Sequence, residues 1–111
     1  LSDSPKYSYA KINYNTKNVT QVAEKQVISN LATVGVYYWK TGASYVENAK
    51  SMIRKNIRFN NEFYVCPVYN ELIHVENGKV IPYPVYEWRG MGTPEELEDF
   101  LILLEKDKEN N

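Results

Sequence analysis

Strand-like and helix-like segments alternate along this 111-residue chain, which predicts an α/β fold: a mixed sheet largely covered by helices. Three observations carry that expectation. Tyr7–Tyr14 alternates large and polar side chains with the period of a half-buried strand. Leu31–Trp39 is a near-continuous apolar and aromatic run, as in a strand buried on both faces. Thr93-Pro94-Glu95-Glu96 combines an N-cap threonine, a proline at N1 and a glutamate at N3, the start of a helix.

In chain order, the turn cluster Asn15-Thr16-Lys17-Asn18 joins Tyr7–Tyr14 to a second alternating stretch, Val19–Ala23, as a hairpin. Gly35 interrupts the Leu31–Trp39 strand and suggests a close approach by backbone or ligand. Thr41–Ser44 opens a helix whose apolar face is Tyr45, Val46, Ala49, Met52, Ile53 and Ile57. Lys50, Arg54 and Lys55 lie off that face, and their charge suits the helix C-terminus. Asn56–Glu62 reads as a polar loop and Phe63–Val65 as a short strand. Pro67 then fits the first turn of a helix through Asn70, Glu71 and Ile73. Asn77-Gly78 is a turn signal, and Lys79–Tyr86 follows as an edge or irregular strand because Pro82 and Pro84 remove backbone donors. The last helix presents Leu97, Phe100, Leu101 and Leu104, and the charged stretch Lys106–Asn111 is expected to fray.

Composition narrows the function. A formal net charge of −1 argues against a nucleic-acid binder, and gives no reason to expect a membrane surface as partner. No apolar run approaches the roughly 20 residues that span a bilayer. Leu1–Ser4 has neither the basic nor the apolar region of a secretory signal, and Leu1 reads as the start of an ordered piece of a longer chain. One cysteine, Cys66, allows no internal disulfide, and with a single histidine it leaves too few ligands for structural zinc. A reducing cytoplasm is the expected compartment. Val65 and Val68 beside Cys66 suit a buried thiol rather than a nucleophile.

Two stretches could carry chemistry. Glu24-Lys25, at the end of the hairpin, pairs a hydroxyl acceptor with an ammonium that could hold a phosphate. By residue chemistry alone a surface pair at a strand end is the simpler reading. Trp88–Pro94 places two glycines before a capped helix, either an anion site of free amides or only a tight turn. Trp88 is a stacking platform for a sugar or a cap on the core. His74, the sole histidine, reads as structural or surface, and the tyrosines as strand formers. No Walker or dinucleotide loop, zinc signature or nucleophile elbow is present.

Val22–Lys25, Ile28–Trp39, Asn61–Ile73 and Trp88–Leu97, in that order and spacing, resemble the C-terminal half of sugar-1-phosphate nucleotidyltransferases. That family includes the glucose-1-phosphate thymidylyl- and uridylyltransferases. The resemblance runs from about residue 7 to residue 104. It implies that residues 1–111 form the sugar-phosphate-binding part of a Rossmann-like nucleotidyltransferase domain, without the nucleotide-binding half. It further implies a complete protein that uses a sugar phosphate and a nucleoside triphosphate or nucleotide sugar, with Mg2+ as cofactor. Carried over by position, Glu24 would accept from sugar hydroxyls and Lys25 would hold the phosphate. Val34 and Gly35 would line the sugar pocket, with Tyr37 beside them and Trp88 and Gly92 also at the substrate.

The chain departs from its relatives at two places. Gly90 stands where many carry an aspartate that ligates magnesium. Asn60 and Asn61 stand where many have an arginine for the sugar phosphate, leaving that role to Lys25 with Arg58 or the amides near Gly92. The relatives closest in pattern keep a Gly-x-Gly-Thr-Pro turn and are associated with polysaccharide synthesis. The parent protein is then expected to make a nucleotide sugar and release pyrophosphate, the isolated piece being inactive. The alternatives are a non-catalytic module that senses a nucleotide sugar and a glycosyltransferase of related fold. The isolated piece is also expected to expose sheet edge and apolar surface, and so to self-associate or be marginally stable.

Overall fold

Residues 1–110 are described by a computed structural model. The hairpin forms as its alternation requires: β1 (Ser8–Ile12) pairs antiparallel with β2 (Val19–Glu24), setting Ser8 opposite Glu24 and Ala10 opposite Val22. The Asn13 side chain organises the turn by accepting from the amides of Asn15 and Thr16. Tyr9 on β1 is fully buried, and its hydroxyl donates to the Ser4 carbonyl.

Three helices follow, α1 (Gly42–Arg54), α2 (Val68–His74) and α3 (Pro94–Glu109). The Thr41 and Thr93 hydroxyls accept from the amides of Ser44 and Glu96, so α1 and α3 start at side-chain N-caps. The core lies between the hairpin and the α1–α2 pair. Val22, Cys66, Val68 and Tyr69 fill it, and Trp39 stacks on Tyr69 with ring centroids 4.6 Å apart. Two polar side chains fix the layers. Asn70 on α2 donates to the Val22 carbonyl at 2.7 Å and accepts from the Val22 amide at 2.8 Å, so its carboxamide stands in for a neighbouring strand. Buried Glu71 accepts from Ser51 and Lys55, each at 3.0 Å, and clamps α2 to α1.

Several expectations need correction. The only sheet among the described residues is the two-stranded antiparallel hairpin, not a mixed sheet. Leu31–Trp39 is no regular strand. Its start pairs with β1, Ala10 donating to Leu31 and Thr33 to Ser8, but the pairing then stops. Nor is the run buried on both faces: Val36 and Tyr38 are 83% and 80% exposed. Phe63–Val65 forms no strand either, whereas Lys79–Tyr86 takes the irregular form that was one of its two expected forms, anchored where Val80 accepts from the Val19 amide. The physical reason is common to all three. A strand needs a neighbour for its amides and carbonyls, and for most of these stretches the described residues supply none.

The helix faces also differ from the expected ones. On α1 the buried residues are Asn48 and Met52, whereas Val46 and Ile53 are exposed, as is Ile57 beyond its end. Asn48 escapes the cost of burial because its amide donates to the Ser44 carbonyl. On α3 no residue is fully buried, and the helix packs against no other helix or strand among the described residues. It nevertheless continues through Glu109 rather than fraying at Lys106, because Lys106 and Lys108 complement the dipole of its last turn. Asn111 lies outside the described residues. The radius of gyration is 16.5 Å, against about 13 Å for a compact domain of similar length.

Replacing Asn70 by Ala leaves the Val22 amide and carbonyl without partners and is expected to cost about 2 kcal/mol. Urea denaturation of the variant against the parent chain checks the size of the loss.

Candidate functional site

The end of β2 delivers Glu24 and Lys25 to the surface. Glu24 accepts from the Ser8 hydroxyl, the cross-strand neighbour that the register fixes, through Oε2. Its Oε1 makes no hydrogen bond with the described residues, so it can accept from a ligand hydroxyl. Lys25 is held at φ 54°, in the left-handed region that a lysine rarely adopts. Its amide donates to the Tyr7 carbonyl, and its Nζ lies 3.2 Å from the Tyr64 hydroxyl and over the Tyr64 ring. The hydrogen bond with the Tyr64 hydroxyl is the main cause of a raised Lys25 pKa, and the Glu24 and Glu62 carboxylates add to it. The lysine is therefore a fixed positive charge at neutral pH. A cleft of about 160 Å³ opens here, lined by Glu24, Gln26, Arg58, Phe59 and Tyr64. Arg58 is tied to its own loop through Asn56 and the Asn61 carbonyl, with its guanidinium over the Phe63 ring. It brings a positive charge to the cleft, whose lining includes Glu24 and Gln26 on either side of Lys25 but not Lys25 itself.

Behind Glu24 sits a small polar cluster. The Tyr37 hydroxyl meets Thr33 Oγ1 at 3.0 Å and also interacts with Ser8 and Cys66. Burial pushes the Cys66 thiol up to about 11, its bonds to Tyr37 and Ser8 opposing the shift only in part. A thiol protonated at neutral pH is no nucleophile. Tyr37 thus shares the Ser8 contact with Glu24. Val34 is half-buried beside Gly35, which adopts φ 79° and would have no atom within 4 Å of an added Cβ. Glycine is required there by conformation, and no protein atom makes the expected close approach.

Trp88 stands at a second hollow, about 300 Å³, with Arg89, Gly90, Glu96 and Asp99, and Gly92 lies outside that lining. Tyr7 links the two places, because its ring meets Trp88 edge to face at 5.5 Å while its carbonyl holds Lys25. The Gly92 amide is not free for an external anion. It donates to Glu96 Oε2 at 3.2 Å, and Glu96 also pairs with Lys6 at 2.8 Å. Lys6 and the Gly92 amide together hold the Glu96 carboxyl below its usual range. At Gly90 a side chain would collide with that same carboxylate. The residues here do not fit a magnesium ion: Gly90 offers no ligand, Glu96 is already paired, and the described residues hold no group of three or more His, Cys, Asp or Glu able to bind a metal. His74 sits apart, bonded to the Thr20 carbonyl.

Sequence reasoning missed Ser8, Tyr64 and Glu96. Ser8 could have been found from the hairpin register. Glu96 was visible as a capping-box residue, but its bond goes to Gly92 rather than to the N-cap amide. Tyr64 gives no sequence signal, lying 39 residues from Lys25.

No protein-family model matches the sequence, and no curated protein does. Among solved structures, the chain is similar to the nucleoside-diphosphate-sugar pyrophosphorylase from Vibrio cholerae RC9, with a TM-score of 0.81 and 28% identity. The match covers 90% of this chain and 43% of that one, so the chain spans less than half the length of the protein it resembles.

Substituting Lys25 by Gly removes the left-handed strain and is expected to raise stability by up to about 1 kcal/mol, whereas Ala, which keeps the strain, gives no gain. Thermal unfolding of the two variants measures this. Cys66 is expected to stay unreactive to an aromatic disulfide reagent at pH 8 in the native state and to react at once in denaturant. Rapid native labelling would contradict its burial.

Proposed function

We propose that this chain is the sugar-phosphate-binding part of a nucleotidyltransferase-like protein with a Rossmann-like domain. The observation that carries the reading is the likeness to a nucleoside-diphosphate-sugar pyrophosphorylase over nine-tenths of the chain. In support, Glu24 lines an open cleft with Arg58 and Tyr64, and Lys25, next in the chain, reaches the Tyr64 hydroxyl. In the complete protein an oxygen of the sugar-1-phosphate attacks the α-phosphorus of a nucleoside triphosphate, the α–β phosphoanhydride bond breaks, and pyrophosphate leaves.

The contribution of this chain is binding and orientation. The ammonium of Lys25 attracts the phosphate, and Arg58, which lines the cleft, adds positive charge. Glu24 repels phosphate but accepts from hydroxyls, so it fixes which end of the ligand points toward it. The open space at Gly35 admits the sugar ring, with Val34 and Tyr37 behind it, and Trp88 offers a stacking face. Magnesium belongs to the chemistry of the complete protein in this reading, and no step assigned to these residues runs through it. The Glu96 carboxylate against Gly90 favours one other reading, a module that binds a nucleotide sugar without turning it over. Calorimetry that finds such binding with no pyrophosphate release separates the two.

Titration with glucose-1-phosphate, followed by amide NMR, is expected to give saturable shifts at Glu24, Lys25, Gly35 and Tyr64. Lys25→Met should weaken binding about tenfold, or about 1.4 kcal/mol. Shifts that are absent, or that persist unchanged in Lys25→Met, sink the assignment.

A further inference from the structure

Two helices each carry an apolar stripe that the described residues leave uncovered. On α3, Glu96, Phe100 and Leu103 face the hollow beside Trp88. Turned away from it are Leu97, Leu101 and Leu104, each 40% exposed or more. On α1, Asn48 and Met52 are buried, whereas Val46 and Ile53 are 45% and 51% exposed, with Lys50 between them. Both sets follow one helical spacing, i, i+4 and i+7, so each makes a straight stripe two turns long.

The charges beside the two stripes differ in sign. α3 holds seven acidic residues and two lysines, whereas the whole chain has a net charge of −1, so the rest of it is net positive. Glu98 and Glu105 flank the α3 stripe, and Lys108 stands at its far end. On α1 the order is reversed: Glu47 lies near the start, and Lys50 and Arg54 lie toward the end. Among the described residues, the side chains of Glu47, Lys50, Arg54, Glu98 and Glu105 enter no ion pair. Laid antiparallel, the two helices complement each other throughout. Leucine then covers Val46 and Ile53, and Arg54 comes to Glu98, Lys50 to Glu105 and Glu47 to Lys108. The helix dipoles are opposed as well. Laid parallel, Glu47 falls beside Glu98, and like charges there are repulsive.

Within one chain α3 contacts neither α1 nor any other regular element among the described residues. We propose that α3 of one copy docks antiparallel on α1 of a second copy, while α1 of the first receives α3 of the second, closing a two-fold dimer. The apolar stripes supply the attachment, and the charges set orientation and register. The stem of Lys50 lies along the leucines while its ammonium reaches the rim. Making the contact twice doubles the surface that one helix pair buries, toward the roughly 1,200 Å² of a stable interface. Neither stripe lines the Lys25 cleft or the Trp88 hollow, so the dimer stands whichever ligand those places take.

Sedimentation equilibrium of the full chain at low salt is expected to show a monomer–dimer equilibrium that weakens as salt is added. Lys50→Glu with Arg54→Glu should weaken it at least about tenfold, or about 1.4 kcal/mol, and so should Glu98→Lys with Glu105→Lys. Mixing the two reversed variants should restore a dimer. In that heterodimer the reversed α1 meets the reversed α3, and the two native helices meet each other. All four positions are exposed, and circular dichroism checks that the variants fold. A chain that stays monomeric overturns the proposal, as does a mixture that stays monomeric. Association that the reversals leave unchanged also overturns it, because the contact then lies on the open strand-like stretches. Growth beyond a dimer overturns the two-fold closure. Should a reversed variant not fold, Arg54→Gln and Glu98→Gln decide: each should lower dimerisation severalfold, and no change counts against the contact. Titration of Lys25 with glucose-1-phosphate is untouched by these outcomes, so the two readings fail separately.

Discussion

The carboxamide of Asn70 is the joint on which this chain turns. Its two bonds to the backbone of Val22 seat α2 against the outer edge of β2, where a sheet would otherwise place another strand. The next residue, Glu71, carries the connection onward through Ser51 and Lys55 to α1. Two adjacent polar side chains on one short helix therefore couple the hairpin to both neighbouring helices. The apolar contacts of Val22, Val68 and Tyr69 supply the bulk of the burial. They are non-directional, and the carboxamide is what selects one docking of α2 from the many that would bury the same area.

That docking also places the candidate site. β2 ends two residues past Val22; the Lys25 amide still bonds the Tyr7 carbonyl across the hairpin. Lys25 itself lies in the left-handed region, where the chain departs from the hairpin, and its side chain meets Tyr64. Glu24 is meanwhile held by Ser8, a consequence of register alone. The acid and the base are adjacent in sequence but face different partners. They do not neutralise one another, and each keeps capacity for a ligand.

Elements that need only their own sequence were legible in it. The hairpin follows from alternation plus the Asn13–Asn18 turn, and α1 and α3 start where Thr41 and Thr93 can cap them. Leu31–Trp39 reads as a strand in composition, and it is extended, but a ladder is a property of two segments and only Leu31–Thr33 finds the other one. The face of α1 was misjudged because Asn48 satisfies itself within the helix and can be buried, displacing the exposed Val46 and Ile53. Glu24, Lys25 and Gly35 were singled out from their order along the chain, and their role as a ligand site is the proposal made above. Tyr64 and the Glu96–Gly92 contact were not, since loop paths and a side chain reaching past its N-cap leave no periodic trace.

The attachment of α3 has a consequence for how the molecule comes apart. This helix meets the remainder through the Trp88–Gly90 turn and the exposed Lys6–Glu96 pair, and among the described residues it contacts no other regular element. Such surface pairs contribute little, and salt weakens them. Loss of α3 therefore leaves the Asn70 joint and the buried core intact, and the chain divides into two cooperative units of unequal strength. A protease acting on the native protein would meet the weaker unit first, trimming the C-terminal helix while the hairpin and its two helices persist as a resistant kernel.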